Sequence, residues 1–153
     1  MRYGFSGASL ASYEDKIIIT GGVGPEGILK AVNNVLVYNL KTNEWNEGPS
    51  MKNPRKCHGS LVLKDKLYVV GGTDSQKTVM TSEHLDLADL KLKPLRKKGE
   101  VIEQVESAWT EEPQELPSWH NGSSGLVEIS SNKLAALSAY GTDQDKVYNV
   151  DTK

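Results

Sequence analysis

Short apolar and polar blocks alternate along the first half of the chain. In the stretch 61–72, an apolar run is followed by a charged turn, a second run of β-branched and aromatic residues, and two glycines. The earlier stretch 8–22 has the same order of blocks and also ends in two glycines. Apolar runs joined by a polar turn predict β-hairpins, and paired glycines predict the end of a strand. The recurrence of the pattern predicts a repeat architecture.

Two further strands complete the first unit. Residues 33–39 fit a short third strand, and residues 44–47 fit a fourth, with a polar turn at 40–43 between them. Four short strands in up-and-down order form a small twisted sheet. One such sheet cannot bury both of its faces alone, so sheets of this kind are expected to stack.

The motif residues of this unit resemble those of the Kelch repeat. The resemblance rests on a glycine pair, an aromatic pair at the family's spacing, and the residues that follow them, namely Gly21, Gly22, Tyr38, Trp45, Pro49, Met51, Pro54 and Arg55. It extends over residues 5–73, and the signature continues at Gly71, Gly72 and Tyr148. In that family each repeat forms one blade of a β-propeller. The resemblance therefore implies an all-β fold of Kelch-like blades, each with four antiparallel strands.

The repeat becomes less regular after residue 73. Residues 78–87 fit a third strand of the second unit, but two segments, 90–95 and 107–110, are candidates for its fourth strand. Only the later candidate contains a Trp. We interpret the region near 93–118 as an insertion, with the apolar spacing of a helix over 101–109.

A third unit is predicted from a hairpin at 125–129 and 134–139 and a strand at 146–152. We therefore expect one partial propeller over 1–153, with blades at about 5–54 and 55–118 and an incomplete blade at 119–153. About three blades cannot close a ring, since propellers use roughly four to eight. The chain could belong to a larger propeller or complete one with another copy of itself. The sequence favours the larger propeller, because it ends within a blade.

Composition narrows the classes of function. Eighteen Lys and Arg against twenty Asp and Glu leave a net charge of -2, without the basic excess that nucleic-acid binding requires. No stretch approaches the roughly 20 apolar residues that cross a bilayer. We therefore expect a cytoplasmic protein that binds neither nucleic acid nor membrane.

Candidates for chemistry are few. Cys57 and His58 are adjacent, but neighbours in a strand point to opposite faces, which disfavours a catalytic pair. As the lone cysteine, Cys57 cannot form an internal disulfide, although a redox-sensing thiol stays an alternative. His58, His84 and His120 lie in different units without metal-ligand spacing. We predict no enzymatic activity, no metal and no cofactor.

The predicted insertion contains a basic run followed by acidic residues. The basic residues are Lys91, Lys93, Arg96, Lys97 and Lys98, and the acidic residues are Glu100, Glu103, Glu106, Glu111, Glu112 and Glu115. We interpret this region as a solvated surface loop. The alternative is a docking element with Trp109 and Trp119 as anchors.

Partner contacts are expected at the end of the sheets that carries the long connections, because binding residues concentrate on loops held by a rigid scaffold. In Kelch-like proteins this end often recognises a peptide or protein. The candidate contacts are Glu26, Arg55, Asp74, Lys77, Asp143 and Gln144. These features favour a noncatalytic protein-interaction or scaffolding module. A propeller enzyme acting on a carbohydrate or small metabolite and a structural part of a large assembly are the alternatives.

Overall fold

The computed structural model describes residues 6–24, 30–95, 107–112, 124–130, 133–138 and 147–151. Within these ranges the regular structure is β-strand apart from one short 3-10 helix, Leu87–Asp89. The strands are β1 Ser9–Tyr13, β2 Lys16–Thr20, β3 Val35–Asn39, β4 Glu44–Glu47, β5 Gly59–Leu63, β6 Lys66–Val70, β7 Ser82–Asp86, β8 Lys93–Pro94, β9 Thr110–Glu111, β10 Ser124–Ser130, β11 Lys133–Ser138 and β12 Val147–Asp151. The predicted all-β fold is confirmed.

The strands form three antiparallel sheets. The first sheet has the order β1-β2-β3-β4-β8, the second β5-β6-β7-β9, and the third β10-β11-β12. The tight turn between β5 and β6 shows why the hairpins form where the sequence predicts them. Lys64 and Asp65 both have positive φ, 50° and 57°, as a two-residue hairpin turn requires. The sheets are blades of a partial propeller, stacked face to face.

The glycine pairs at the ends of β2 and β6 are required by close backbone packing. Gly21, Gly22, Gly71 and Gly72 all have positive φ. A Cβ atom on Gly72 would lie 2.7 Å from the carbonyl oxygen of Lys56, and one on Gly21 would collide with the carbonyl oxygen of Arg55. Only glycine combines this backbone conformation with so little space.

Alternate residues of each strand build the core between the sheets. Ile18, Val35 and Val37 of the first sheet pack against Leu67 and Leu85 of the second, and all five are buried. Because side chains alternate across a strand, these residues occupy one face of each sheet.

The second and third sheets meet in a smaller apolar contact. It contains Leu63 and Tyr68 of the second sheet and Leu134 of the third. Val70 packs nearby against Leu126 of β10. The innermost strands β1, β5 and β10 thus follow one another side by side.

The structure distinguishes the two candidates for the fourth strand of the second sheet. Thr110 pairs with His84, so the later candidate, which contains Trp109, leads into β9 on the edge of β7. The earlier candidate is wrong for this sheet, because Lys93 pairs with Glu47 and β8 extends the first sheet instead. Of the helix predicted over 101–109, residues 101–106 lie outside the described residues, and residues 107–109 are not helical.

Candidate functional site: a groove at the glycine end of the sheets

Beyond the glycine pair of the second sheet lies an open groove of about 350 Å³. Two chain segments form its walls, the connection between the first two sheets and the loop that leads from β6 to β7. The lining residues are Asn53, Pro54, Asp74, Lys77, Thr78, Val79, Met80 and Thr81. Apolar side chains and charged groups therefore meet in one concave surface at the end of the sheets where the sequence predicts partner contacts.

A tight turn holds the charged rim of the groove. The carboxylate of Asp74 accepts hydrogen bonds from the backbone N–H groups of Lys77 and Gln76, both at 2.9 Å. These bonds lower the pKa of Asp74 below its ordinary value of 3.8, so the carboxylate stays charged. The Thr73 hydroxyl donates to the carbonyl of Lys77 at 2.9 Å and closes the turn. The Lys77 side chain is exposed beside it.

The connection between β2 and β3 of the first sheet supports the same turn. The hydroxyl oxygen of Ser75 accepts a hydrogen bond of 2.8 Å from the backbone N–H of Ala31. Ser75 has a φ of 86°, an uncommon value for a residue with a side chain. The turn at the groove is therefore fixed both by its own hydrogen bonds and by the neighbouring sheet.

Arg55 lies behind the groove rather than on its surface. Its side chain is fully buried, and Nη1 donates to the carbonyl oxygens of Gly71 at 2.8 Å and Thr81 at 3.0 Å. Nη2 donates to Oε1 of Glu83 at 2.7 Å. Because both ends of the guanidinium are engaged inside the protein, the prediction of Arg55 as a contact for a partner is corrected. Arg55 stabilises the wall of the groove through its hydrogen bonds to the carbonyl oxygens of Gly71 and Thr81.

Glu83 completes this buried network and was not recognised in the sequence. Its two carboxylate oxygens accept hydrogen bonds from the backbone N–H groups of Lys52 at 2.8 Å and Asn53 at 3.2 Å. Arg55 and Glu83 therefore connect both walls of the groove. Burial lowers the pKa of Arg55 below its ordinary value, and the charge of Glu83 opposes this shift.

The other predicted contacts have different outcomes. The structure brings Asp74 and Lys77 together at the groove, whereas Glu26, Asp143 and Gln144 lie outside the described residues. Among the signature residues, the rings of Tyr38 and Trp45 are cross-strand neighbours with centroids 4.8 Å apart. Tyr148 lies in β12, opposite Ala136 of β11.

Cys57 and His58 do not form a catalytic pair. Cys57 is exposed, whereas His58 is buried with Nε2 2.8 Å from the Thr20 hydroxyl. Burial and the nearby charge of Arg55 lower the pKa of His58 to about 3. The imidazole is therefore neutral at physiological pH, as expected of an internal structural group.

The remaining candidates give no metal site in the described ranges. His84 Nδ1 lies 2.6 Å from Oε1 of Glu112, and His120 is outside the described residues. The described part of the chain contains no group of three or more His, Cys, Asp or Glu side chains that could hold a metal ion. Nor does it contain a helix that is long and apolar enough to span a membrane.

Comparison with known proteins identifies the repeat. The family model described as the Kelch motif matches residues 4–52 and 54–85. Over 80 residues the chain is 36% identical to Kelch-like protein 41b of Danio rerio, a match covering 52% of this chain and 13% of that protein. It is 39% identical over 74 residues to an influenza virus NS1A-binding protein homolog of Xenopus laevis, covering 48% and 11%.

A third relative is Beta-scruin of Limulus polyphemus, 33% identical over 76 residues, with 47% of this chain and 8% of the relative covered. Each match thus spans only a small part of the length of the relative. The residues that match the family model contain β1 to β4 of the first sheet and β5, β6 and most of β7 of the second, and these are the sheets that build the groove.

Proposed function

Because the chain belongs to the Kelch motif family, we propose that it is a noncatalytic protein-interaction module of the cytoplasm that binds a protein or peptide segment in the groove. The observation that carries this proposal is the groove itself, with its apolar lining, its charged rim and its rigid support. Fold alone does not define function, so the groove and not the repeat is the basis of the proposal.

The lining of the groove favours a particular kind of ligand. Pro54, Val79 and Met80 supply apolar surface, and Asp74 and Lys77 place opposite charges at the rim. In protein interfaces, a few apolar anchors seated in a pocket supply most of the affinity, and the polar rim excludes water and selects the partner. We therefore propose a ligand segment with an apolar side chain flanked by polar or charged residues.

The support of the groove also favours binding. The buried Arg55 and Glu83 fix the connection at Lys52 and Asn53 relative to Thr81, the residue before β7. A site that is ordered before the ligand arrives loses less conformational entropy on binding. The names of the relatives are compatible with this proposal, since one of them is the homolog of a protein that binds a viral protein.

Selection of peptides from a displayed random library against the purified chain tests the proposal. Enriched peptides should bind the wild-type chain and lose at least about tenfold in affinity with Thr78→Arg, since a bulky cation would fill the groove. Lys77→Glu should reorder the preferences of the library for charged residues. Lys91→Glu is the matched control, because Lys91 is exposed and does not line the groove.

The affinities can be measured by isothermal titration calorimetry. If no peptide is enriched, or if the enriched peptides bind the Thr78→Arg variant as tightly as the wild type, the groove is not the binding site. Circular dichroism of each variant shows whether the fold is retained.

A further inference from the structure

The chain that leads into β7 continues the antiparallel pairing with the end of β6. The N–H of Val79 donates to the carbonyl oxygen of Gly72 at 2.8 Å. The carbonyl oxygen of Thr81 accepts from the N–H of Gly71 at 3.2 Å. In an antiparallel pair, the backbone groups of successive residues point alternately towards and away from the partner strand. The N–H and C=O of Met80, which lies between Val79 and Thr81, therefore point away from β6.

The side to which the backbone of Met80 points is the side on which β9 pairs with β7. The N–H of Glu112, directly after β9, donates to the carbonyl oxygen of Ser82 at 2.9 Å. Met80 lies two residues before Ser82, so its backbone groups are the next pair along this edge. Within the part of the chain that the structure describes, neither group has a hydrogen-bond partner. An edge of this kind can pair with a further strand.

The unpaired edge at Met80 belongs to the groove, because Met80 lines it together with Asn53 and Pro54. The side chain of Met80 packs against Val70, which also contacts Leu126 of the third sheet. A ligand in the groove therefore meets an unpaired N–H and C=O beside apolar surface. A polypeptide backbone carries the complementary acceptor and donor on every residue other than proline.

We propose that the ligand in the groove is an extended peptide that adds a strand to this edge. One residue of the peptide exchanges both backbone hydrogen bonds with Met80, in the antiparallel arrangement that β9 already has on β7. This inference rests on the proposed function and specifies how the same groove binds. In strand addition, the hydrogen bonds of the main chain supply affinity, and alternate side chains supply specificity.

The alternation of side chains determines which residues of the peptide contact the groove. A residue opposite Met80 places its side chain on the same face as the Met80 side chain, towards the third sheet. The neighbouring residues of the peptide point to the other face, where the Glu83 side chain binds the N–H of Asn53. Pro54, next to Asn53, lines the groove there. The apolar anchor of the ligand therefore lies directly before or after the residue that pairs with Met80.

Methylation of the backbone nitrogens of a bound peptide tests the pairing. A library peptide that depends on the groove, because it binds Thr78→Arg weakly, is methylated at one nitrogen at a time. Methylation at one position next to the anchor should weaken binding by at least about tenfold, because it removes the donor to the carbonyl of Met80. Methylation of the anchor nitrogen is the matched control, since that N–H points away from Met80. If the peptide tolerates methylation at every position, strand addition is wrong, although the groove is still the binding site.

Hydrogen–deuterium exchange measured by NMR follows the same contact from the side of the protein. The amide of Met80 should exchange rapidly in the free chain and at least about tenfold more slowly with saturating peptide. The amide of Val79 is the internal control and should be protected in both states, because it is bonded to Gly72. If the Met80 amide is as protected as that of Val79 in the free chain, the chain covers its own edge and the proposal is wrong.

Two variants of Met80 separate the backbone from the side chain. Met80→Pro removes the N–H, whereas Met80→Ala retains it and removes most of the side chain. Met80→Pro should therefore bind the peptide at least about tenfold more weakly than Met80→Ala does. Equal affinities of the two variants would contradict the pairing. Circular dichroism shows whether both variants are folded, and the methylated peptides test the proposal with the wild-type chain if Met80→Pro is not.

Discussion

Arg55 and Glu83 form an ion pair with 2.7 Å between Nη2 and Oε1, and neither side chain is exposed. The pair joins the connection between the first two sheets to β7, because Glu83 also binds the backbone N–H groups of Lys52 and Asn53. The interior of this repeat protein thus contains a charged network next to an apolar core. Its geometry determines the shape of the groove.

Replacing Glu83 by Gln should destabilise the protein strongly. The variant leaves the guanidinium of Arg55 buried without its counterion, and breaking a buried pair in this way costs about 3–5 kcal/mol. Urea unfolding followed by circular dichroism measures the loss. Arg55→Met combined with Glu83→Leu should lose less than the sum of the single variants, because no unpaired charge remains.

The exposed ion pair between Lys41 and Asp15 provides the control for this experiment. Lys41→Gln should leave the urea midpoint unchanged within error, because water screens exposed charges. Equal effects of Glu83→Gln and Lys41→Gln would contradict the structural role of the buried pair.

His58 should make the fold sensitive to mild acid. Its pKa is about 3 in the folded protein and 6.5 in the absence of its surroundings, so the unfolded chain binds a proton more readily. The contribution of neutral His58 to the free energy of unfolding is fully present above pH of about 6.5. It falls by about 1.4 kcal/mol per pH unit as the pH decreases towards 3. The urea midpoint, measured at pH 7 and pH 5, reports this loss.

Two histidine variants isolate this effect. His58→Gln cannot be protonated in this range, so its urea midpoint should change much less between pH 7 and pH 5. His84→Gln should keep the dependence, because His58 is still present. If His58→Gln responds to pH as strongly as the wild type does, another group is responsible.

Gly72→Ala should destabilise the protein, whereas Gly125→Ala should not. Gly72 has a φ of 90°, and an added Cβ would lie 2.8 Å from the Cβ of His58. A residue with a side chain in such a conformation costs on the order of 1–3 kcal/mol. Nothing lies within 4 Å of a Cβ on Gly125. Thermal unfolding of the two variants side by side gives the comparison, and equal midpoints would contradict the packing described for the glycine pair.

Trp109→Phe should destabilise the contact between the first two sheets. Trp109 is buried in the core, and its Nε1 donates a hydrogen bond of 2.8 Å to the carbonyl oxygen of Pro49. Phe retains most of the apolar surface but leaves this carbonyl without its donor, which costs about 1–3 kcal/mol. Trp45→Phe, at a half-buried position, should lose less in the same urea experiment. A larger loss for Trp45→Phe would show that Trp45, and not Trp109, contributes more to the stability of the protein.

The hairpins could be predicted from sequence because their information is local. The apolar alternation of 61–72, its polar turn and its glycines all lie within a dozen residues, and β5 and β6 form there. The weaker third hairpin at 125–139 was also predicted correctly as β10 and β11. Local periodicity and turn chemistry are sufficient for such elements.

The groove could be predicted only in part. Asp74 and Lys77 were expected at this end because they lie in a connection between strands. The burial of Arg55 depends on Glu83, which is 28 residues away, and an acidic residue within a strand ordinarily points to solvent. The sequence contains no local sign that these two residues face each other across the core.

The pairing of β8 with the first sheet could not be predicted for the same reason. Residues 93–94 lie in the chain between β7 and β9 of the second sheet but pair with Glu47 and Asn46 of the first. Two residues are too short for a periodic pattern, and Pro94 disfavours a strand assignment. Which sheet residues 93–94 join depends on which strand edge lies within reach after the 3-10 helix. That distance is a property of the folded chain.

The pairing of β8 with β4 has a consequence for how such a gene can change by duplication or deletion. The sequence repeats are separated near residue 54, but the fifth strand of the first sheet and the indole that caps Pro49 come from residues 93–109. A recombination event that moved the first repeat alone would leave the edge of β4 without β8 and the core without Trp109. We therefore expect the first repeat to keep its stability only when it is transferred together with residues 93–109.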